Sequence, residues 1–195
     1  MFNLVLASKS KVRKEILQNS GIKCYVKPSN VDEEPIKNNL IQKGASPELI
    51  SKNLAELKAN KVSQKYIDDL VLGADSVIDL NGELISKPID RKEAHQIMKK
   101  LNGKKHQLIS SVCISKGGSM IWNFTDIAHL TMKKLSNEEI DNYLKKISDE
   151  ALYSYNVYQI EGLGRSLFEK IEGNENTIMG LPVEKIREYL KELGC

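Results

Sequence analysis

The hydrophobic positions fall into short continuous runs that alternate with stretches of helical spacing. Short apolar runs are typical of buried strands, and a 3.6-residue spacing is typical of amphipathic helices. The runs predict strands over 4–7, 22–26, 70–74, 106–115, 119–132, 167–171 and 176–179. The helical spacing predicts helices that begin after Ser8 or Ser10, at Pro47, after Asp90, after Ser136 and at Pro182.

The segments between these elements predict how the elements are connected. Asn81-Gly82 is a tight-turn signal and predicts a hairpin over 77–86. Residues 27–45 are polar and contain two prolines, which predicts a long loop of the kind that often has a function. A second loop, rich in tyrosine, is predicted after residue 147. Because strands and helices alternate, the expected class is α/β, with a mixed twisted sheet and flanking helices. Residues 1–195 are expected to form a single domain, with two lobes divided near residue 90.

Composition excludes several classes of protein. The 195-residue chain carries 29 basic and 26 acidic residues, and a net charge of +3 is too small for a general nucleic-acid binder. No stretch is apolar enough to cross a bilayer, and the basic residues follow the first apolar run, so neither a membrane protein nor a secreted one is expected. The three cysteines lack zinc or redox spacing, which favours free thiols in the cytoplasm: Cys24, Cys113 and Cys195.

The junction between the first strand and the first helix is the first candidate for chemistry. It reads LASKSKVRK over residues 6–14, with hydroxyls and cations at a helix N-terminus. Backbone amides at a helix start favour anions, and Lys and Arg add charge and directed hydrogen bonds to phosphate. The pattern therefore predicts a phosphate site that includes Ser8, Ser10 and Arg13. The alternative from spacing alone is that the serines only cap the helix and the cations are solvated.

Asp75 is the second candidate. It stands with Ser76 at the C-terminal end of the predicted strand 70–74, which is where α/β proteins bind ligands. A carboxylate at this place could hold Mg²⁺ or activate a water molecule. The alternative is a turn-forming Asp ahead of the hairpin.

An acidic run, a lysine and an aromatic loop complete the candidates. The run at 31–34, which includes Glu33, offers the carboxylate oxygens that Mg²⁺ prefers together with substrate phosphates, unless it is only a solvated charge run. Lys87 stands beside a proline at a strand end and could neutralise a phosphate, or be solvated. Residues 155–164 combine tyrosines, a carboxylate and glycines that could stack on a base and read its edge, or form a packed turn. Three histidines without metal-ligand spacing are interpreted as structural: His95, His106 and His129.

Taken in order, these stretches resemble the Maf family of nucleotide pyrophosphatases. The family patterns LASxSPRR, GAD followed by Thr or Gln, and GKP correspond to LASKSKVRK, to GADSVI at 73–78 and to SKP at 86–88. The patterns LSGxxH, EGxG, LFxxIxG and GLP correspond to residues 101–106, 161–164, 167–173 and 180–182. Each tripeptide alone is weak, but the ordered set covers the chain from Leu6 to Pro182 and is specific.

The resemblance implies a two-lobed α/β fold with a nucleotide in the cleft, similar to the inosine triphosphate pyrophosphatases. It also implies hydrolysis of nucleoside triphosphates to a monophosphate and pyrophosphate, with Mg²⁺ or Mn²⁺, to remove modified or non-canonical nucleotides, and a homodimer. By position, the family's functional residues correspond to the phosphate ligands Ser8, Arg13 and Lys58, the acidic residue Glu33, the proton acceptor Asp75 and the phosphate-contacting Lys87. Glu33 and Asp75 would share the metal and base roles, and their order stays open.

Several positions, Lys11 among them, depart from the family pattern or bear on the choice of base. Val12 stands where the family has an arginine, and Ser86 where it has a glycine. Ser76 is neither the Thr of the pyrimidine branch nor the Gln of the 7-methylguanylate branch, whereas Glu161 matches the latter. Val12, Ser76 and Glu161 correspond to positions linked with base choice in the family. A carboxylate can accept hydrogen bonds from a guanine edge, which favours a purine or modified base without identifying it.

Two other functions compete with hydrolysis between the α and β phosphates. The family is also described as septum-formation inhibitors, so one alternative is a nucleotide-binding regulator of cell division with little catalysis. The other alternative is a phosphatase that removes the γ phosphate. The presence of both Glu33 and Asp75 favours an enzyme.

Overall fold

The computed structural model describes residues 3–154, 157–160 and 162–194, which form a mixed α/β fold. Its strands are β1 (Leu4–Leu6), β2 (Tyr25–Val26), β3 (Leu70–Leu80), β4 (Glu83–Ile85), β5 (Lys105–Lys116), β6 (Ser119–Met132) and β7 (Phe168–Glu172). Its helices are α1 (Lys11–Asn19), α2 (Glu33–Gln42), α3 (Pro47–Ser63), α4 (Arg91–Leu101), α5 (Asn137–Lys146), α6 (Asp149–Ser154), α7 (Glu175–Ile178) and α8 (Val183–Glu192), with a 3-10 turn at Leu163–Leu167. No helix in the described ranges is both long and apolar enough to cross a bilayer.

The strands form one sheet in the order β2-β1-β3-β5-β6-β7, and β4 pairs with the end of β3. β1 is parallel to its neighbours β2 and β3, whereas the pairs from β3 to β7 are antiparallel. β5 pairs along one edge of β3, and the other edge is shared by β1 at residues 70–72 and β4 at residues 78–80. Among the described residues, no strand pairs with 73–77 on that second edge. The sheet is therefore open in the middle of β3.

Helices cover both faces of the sheet. On one face, apolar side chains form two clusters: one packs α1 and α8 against β1, β3 and β5, and the other packs α4 and α5 against the ends of β3, β5 and β6. On the opposite face, α3 lies so close to β3 that a Cβ on Gly73 would lie 2.2 Å from the Ala55 carbonyl oxygen and 2.7 Å from the Ala59 nitrogen. A glycine at position 73 therefore sets the distance between α3 and the sheet.

Most of the predicted elements are confirmed, together with the α/β class. Ser10, Ser46 and Ser136 cap α1, α3 and α5 through side-chain bonds to backbone N–H groups, and α5 has a complete capping box. The Asn81-Gly82 turn has positive φ at both residues and joins β3 to β4, as a two-residue hairpin requires.

Four predictions were wrong in their local structure. Residues 27–45 contain α2, which buries none of its residues and so has no apolar face for a pattern to reveal. The predicted break after residue 74 is absent, because β3 continues through residues 75–76 to Leu80. The tyrosine-rich stretch begins in α6. Residues 176–178 lie on α7 and Met179 is its C-cap, because the Asn174 side chain accepts bonds from the Asn176 and Thr177 amides and starts a helix.

Candidate active site

The open edge of β3 lies in a cleft of about 660 Å³. The β1–α1 junction, the first turn of α2, α3, the end of β4 and the α7 region supply its other walls. Six of the described lining residues are cationic and three are anionic: Lys9, Lys11, Arg13, Lys37, Lys58 and Lys87 against Glu33, Glu34 and Asp75. A second part of the lining is apolar or aromatic and includes Leu108, Tyr153, Tyr158 and Met179. The cleft therefore suits a ligand with a polyanionic part and a flat apolar part.

A lysine between two carboxylates forms the centre of the cleft. Lys58 Nζ lies 2.7 Å from Asp75 Oδ1 and 3.0 Å from Glu33 Oε1. The Asp75 and Lys58 side chains are each only 9% exposed, whereas the Glu33 side chain is 39% exposed. Buried charges are tolerated when they are paired, so the two carboxylates offset the cost of holding the Lys58 ammonium in the cleft.

Three elements bring these groups together. Gly73 allows α3 to approach β3, which places Lys58 opposite Asp75, two residues further along the same face of the strand. Ser51, also on α3, donates from its hydroxyl to the Asp75 carbonyl oxygen at 3.2 Å. This bond fixes the position of α3 along β3. Glu33 is the first residue of α2, so the helix predicted as a loop delivers the third member of the cluster.

Arg13 joins three segments on the other face of β3. Its Nη1 donates to the Ala74 carbonyl oxygen at 2.9 Å and contacts Ser8 Oγ at 3.4 Å. Its Nε donates to the Gly180 carbonyl oxygen at 3.0 Å, and its Nη2 donates to Ser76 Oγ at 3.0 Å. The guanidinium thus occupies the open edge of β3, where a neighbouring strand would otherwise satisfy the Ala74 carbonyl.

The cations of the cleft affect one another. The walls of the cleft lower the pKa of Lys87 by partly desolvating its ammonium group, and the positive charge of Arg13 acts in the same direction. The carboxylates Asp75 and Glu33 oppose this effect. Burial also lowers the pKa of Arg13, again opposed by Asp75 and Glu33. Positive charges crowded in this way are stabilised further by an anionic ligand.

The carboxylates fit a divalent metal ion. Asp75 Oδ2 is buried and has no hydrogen-bond partner among the described residues, so it offers lone pairs into the site. Glu33 is the second carboxylate on the same ammonium group. No group of three or more His, Cys, Asp or Glu residues that could hold a metal occurs in the part of the chain that the structure describes. Mg²⁺ is commonly bound by one or two carboxylates plus substrate phosphates, and this donor set matches that mode.

The structure brings most of the predicted site residues to one place. The cleft is lined by Ser8, Ser10, Arg13, Glu33, Lys58, Asp75, Ser76 and Lys87. Asp75 lies in the middle of β3 and not at a strand end. It borders the cleft because, among the described residues, no strand pairs with this part of β3 on its second edge. Val12 lines a neighbouring depression of about 400 Å³ that shares Gln159 and Met179 with the cleft. Glu161 lies outside the described residues.

Sequence reasoning missed Lys37 and Gly180. Lys37 lines the cleft one helical turn after Glu33, a spacing that carries meaning only if the segment is a helix. Gly180 belongs to the GLP pattern, yet only the structure shows that its carbonyl oxygen accepts from Arg13. Tyr158 borders the cleft, but its ring packs edge-on against Phe168 at 4.8 Å.

Known proteins resemble this chain over nearly its whole length. The family described as Maf-like protein matches residues 3–193. The chain is 66% identical over 188 residues to the nucleoside triphosphate pyrophosphatase of Pelagibacter ubique, covering 96% of each protein. It is 40% identical over 192 residues to the 7-methyl-GTP pyrophosphatase of Brucella abortus, covering 98% of this chain and 96% of that protein. A solved structure, a HAM1 protein from Coxiella burnetii, shares the fold with a TM-score of 0.53 at 10% identity, covering 98% of this chain and 100% of that one. A match of this extent, with the predicted motifs in order, shows that the chain belongs to the Maf-like protein family.

Proposed function

We propose that this protein hydrolyses nucleoside triphosphates between the α and β phosphates and releases a nucleoside monophosphate and pyrophosphate. The observation that carries the proposal is Asp75, a buried carboxylate with an unpartnered oxygen at the centre of a cation-lined cleft. The names of the Pelagibacter and Brucella relatives support it, because both are pyrophosphatases that act on nucleoside triphosphates.

The residues of the cleft have two proposed roles, which are to offset the charge of the phosphates and to activate the attacking water. The cationic groups Lys58, Lys87 and Arg13 offset the negative charge of the phosphate chain, which otherwise repels an attacking water. Asp75 Oδ2 orients that water and accepts its proton, since the other oxygen of the carboxylate is held by Lys58. The water oxygen forms a bond to the α phosphorus while the bond from that phosphorus to the departing pyrophosphate breaks and the water proton passes to Asp75, which leaves the monophosphate in the cleft.

A divalent ion, Mg²⁺ or Mn²⁺, belongs to the proposal. Asp75 and Glu33 would hold it together with phosphate oxygens of the substrate, and it would neutralise charge that develops on the phosphate chain. A carboxylate oxygen has two lone pairs, so Asp75 Oδ2 can serve both the metal and the water. Lys58 would then be free to contact phosphate.

The choice of base is a finer proposal. We infer a purine or modified base, because Glu161 offers a carboxylate that can accept from a guanine edge. The relative from Brucella abortus is named for 7-methyl-GTP, which supports this preference. Val12 is the other residue proposed to bear on base choice, whereas the contacts of Ser76 with Arg13 and Ser110 support a different role.

A homodimer is also proposed. β7 pairs only with residues 129–132 of β6, so the rest of that edge of β6 is unpaired among the described residues. Met120 and Ile121 on this stretch are exposed, and the stretch from Ser119 to Ala128 contains no lysine or proline of the kind that protects free edges. Light scattering after gel filtration tests this proposal: a monomer at micromolar concentration contradicts it.

A product assay on the purified protein tests the proposed reaction. Canonical, methylated and deaminated triphosphates are incubated with Mg²⁺ or Mn²⁺, and monophosphate, diphosphate, orthophosphate and pyrophosphate are quantified. We expect equal amounts of monophosphate and pyrophosphate from one or a few substrates and no release after chelation of the metal. Diphosphate with orthophosphate would indicate γ-phosphate removal. Nucleotide binding without any product would indicate the regulator.

A further inference from the structure

A polar row crosses the sheet between the two apolar clusters. Ser76, Ser110 and Asp126 are register partners on β3, β5 and β6, and all three therefore lie on the same face of the sheet. Ser110 is fully buried and Ser76 is half-buried at the cleft. Thr177 on α7 covers the row: its carbonyl oxygen accepts from Ser110 Oγ at 2.8 Å, and its hydroxyl donates to Asp126 Oδ2 at 2.6 Å.

The contacts of this row determine which acceptor each serine hydroxyl donates its proton to. Ser110 has one hydroxyl proton, and it is donated to the Thr177 carbonyl oxygen, which can only accept. The contact of 2.9 Å between Ser76 Oγ and Ser110 Oγ must then use the Ser76 proton. Ser76 Oγ also accepts from Arg13 Nη2. The Ser76 hydroxyl therefore has no proton left to donate to a ligand, and it faces the guanidinium of Arg13.

Arg13 is held mainly by the protein. Four of its five N–H groups contact the Gly180 and Ala74 carbonyl oxygens and the Ser8 and Ser76 hydroxyls. Gly180 makes room for this arrangement, because a Cβ at that position would lie 2.9 Å from Ser76 Oγ. The guanidinium is thus a fixed positive charge whose orientation depends on its hydrogen-bond acceptors.

We propose that Ser76 is a positioning residue for Arg13 and does not read the base. The proposal rests on the proposed function and narrows it: Arg13 acts through its charge on the phosphate chain, which every nucleoside triphosphate has. Loss of the Ser76 hydroxyl therefore reduces turnover by the same factor whatever base the nucleotide carries. A base-reading serine would change the ratio between bases instead.

The test compares Ser76→Ala and Ser76→Thr with the parent protein on GTP, UTP and 7-methyl-GTP. Loss of a hydrogen bond to a charged group predicts that Ser76→Ala lowers kcat/KM about tenfold to a hundredfold, equally for all three nucleotides. Ser76→Thr keeps the hydroxyl and should stay within about twofold of the parent protein. In an Arg13→Lys background, Ser76→Ala should cause little further loss of kcat/KM, because no guanidinium is left for the Ser76 hydroxyl to orient.

A change of more than about fivefold in the ratio of kcat/KM between two nucleotides in Ser76→Ala overturns the proposal. If Ser76→Ala does not fold, Ser110→Ala removes the acceptor of the Ser76 proton and is subject to the same criterion. The comparison is repeated on the dissociation constants of non-hydrolysable α,β-methylene analogues. A parent protein that releases no pyrophosphate would overturn the proposed function alone, since the ratio of dissociation constants still decides the role of Ser76.

Discussion

Lys58 and Asp75 form a buried ion pair, and the same ammonium group contacts Glu33. The ammonium therefore pairs with both carboxylates that are proposed to hold the metal and offsets part of their charge. A cation and a metal ion that depend on the same two carboxylates compete for them. The metal is consequently expected to bind well only when a triphosphate offers Lys58 another anionic partner.

Replacing the lysine tests this competition. Lys58→Met should raise the affinity for Mn²⁺, measured without nucleotide, by at least about tenfold, because two carboxylates lose their internal cation. Turnover should fall, because a phosphate-binding charge is lost. Electron paramagnetic resonance titration of Mn²⁺ gives the affinity. Lys52→Met is the matched control, since Lys52 lies on the same helix and pairs with Glu48 at the surface. Equal or weaker Mn²⁺ binding by Lys58→Met would contradict the competition.

Asp75→Asn should reduce the rate of pyrophosphate release by about 10²- to 10⁴-fold, since the amide cannot accept the proton of the attacking water. The fold should survive, because the amide oxygen can still accept from Lys58 Nζ at the position of Oδ1. Pyrophosphate release and thermal unfolding are measured on the same preparation. A folded variant with the activity of the parent protein would remove Asp75 from the mechanism.

Gly180→Ala should lower both stability and turnover. Gly180 has a φ of +94°, and a Cβ there would crowd Ser76 Oγ at 2.9 Å and Arg13 Nη2 at 3.4 Å. Gly82→Ala is the control, because Gly82 has a similar φ of +88° with no atom within 4 Å of the added Cβ. The first variant should be less stable than the second by about 1–3 kcal/mol, the cost of overpacking. Equal losses in denaturant unfolding would show that backbone strain alone matters.

Glu161→Gln should shift base preference more than overall rate. A carboxylate only accepts hydrogen bonds, whereas an amide both donates and accepts, so the substitution changes which base edges can be matched. The kcat/KM values for a nucleotide panel are compared between variant and parent protein. An unchanged profile across the panel would count against base reading at this position.

His106 should make the fold sensitive to acid. Burial lowers its pKa to about 4 from an ordinary value of 6.5, and its Nε2 hydrogen-bonds with the Tyr158 hydroxyl. Between pH 6.5 and pH 4 the unfolded chain takes up a proton that the folded chain resists, so stability is lost as the pH falls through this window and is unaffected above it. The loss approaches about 3 kcal/mol at its lower end.

The measurement is the free energy of unfolding by urea at several pH values across that window. His106→Gln keeps a side chain that can hydrogen-bond but does not titrate there, and should flatten the profile. His129→Gln is the control for removing a histidine from the neighbouring strand. If both variants flatten the profile equally, His106 is not the source of the acid sensitivity.

Local signals in the sequence were sufficient for much of the fold. Ser46-Pro47, Ser136 with Glu139, and Asn81-Gly82 each fix a helix start or a turn through bonds to nearby backbone, so their neighbours in sequence determine the result. Asp75 and Ser76 led to the wrong prediction that the strand ends at residue 74, because both residue types are unfavourable in strands. They remain in β3 because partners distant in sequence compensate them, Lys58 on one face and Arg13 on the other.

Most residues of the site could be predicted from the sequence, but the hydrogen bonds and ion pairs between them could not. The charged candidates were recognisable because phosphate and metal chemistry need them, whatever the fold. The polar row of Ser76, Ser110 and Asp126 depends on the register of three strands, which no short pattern specifies. The part played by Glu33 likewise depends on α2, a helix without a buried face.

The gap in pairing along β3 leaves Asp75 on a strand that is held there by a neighbouring strand on one edge only, among the described residues. Asp75, the carboxylate proposed to react, is carried by the central strand, whose opposite edge pairs with β5 from Val71 to Asp79. The groups that surround it come from α1, α2, α3, the segment after β4 and the α7 region, which lie outside that ladder. A substitution in these surrounding segments can therefore reshape the cleft while the strand that carries Asp75 keeps its pairing with β5.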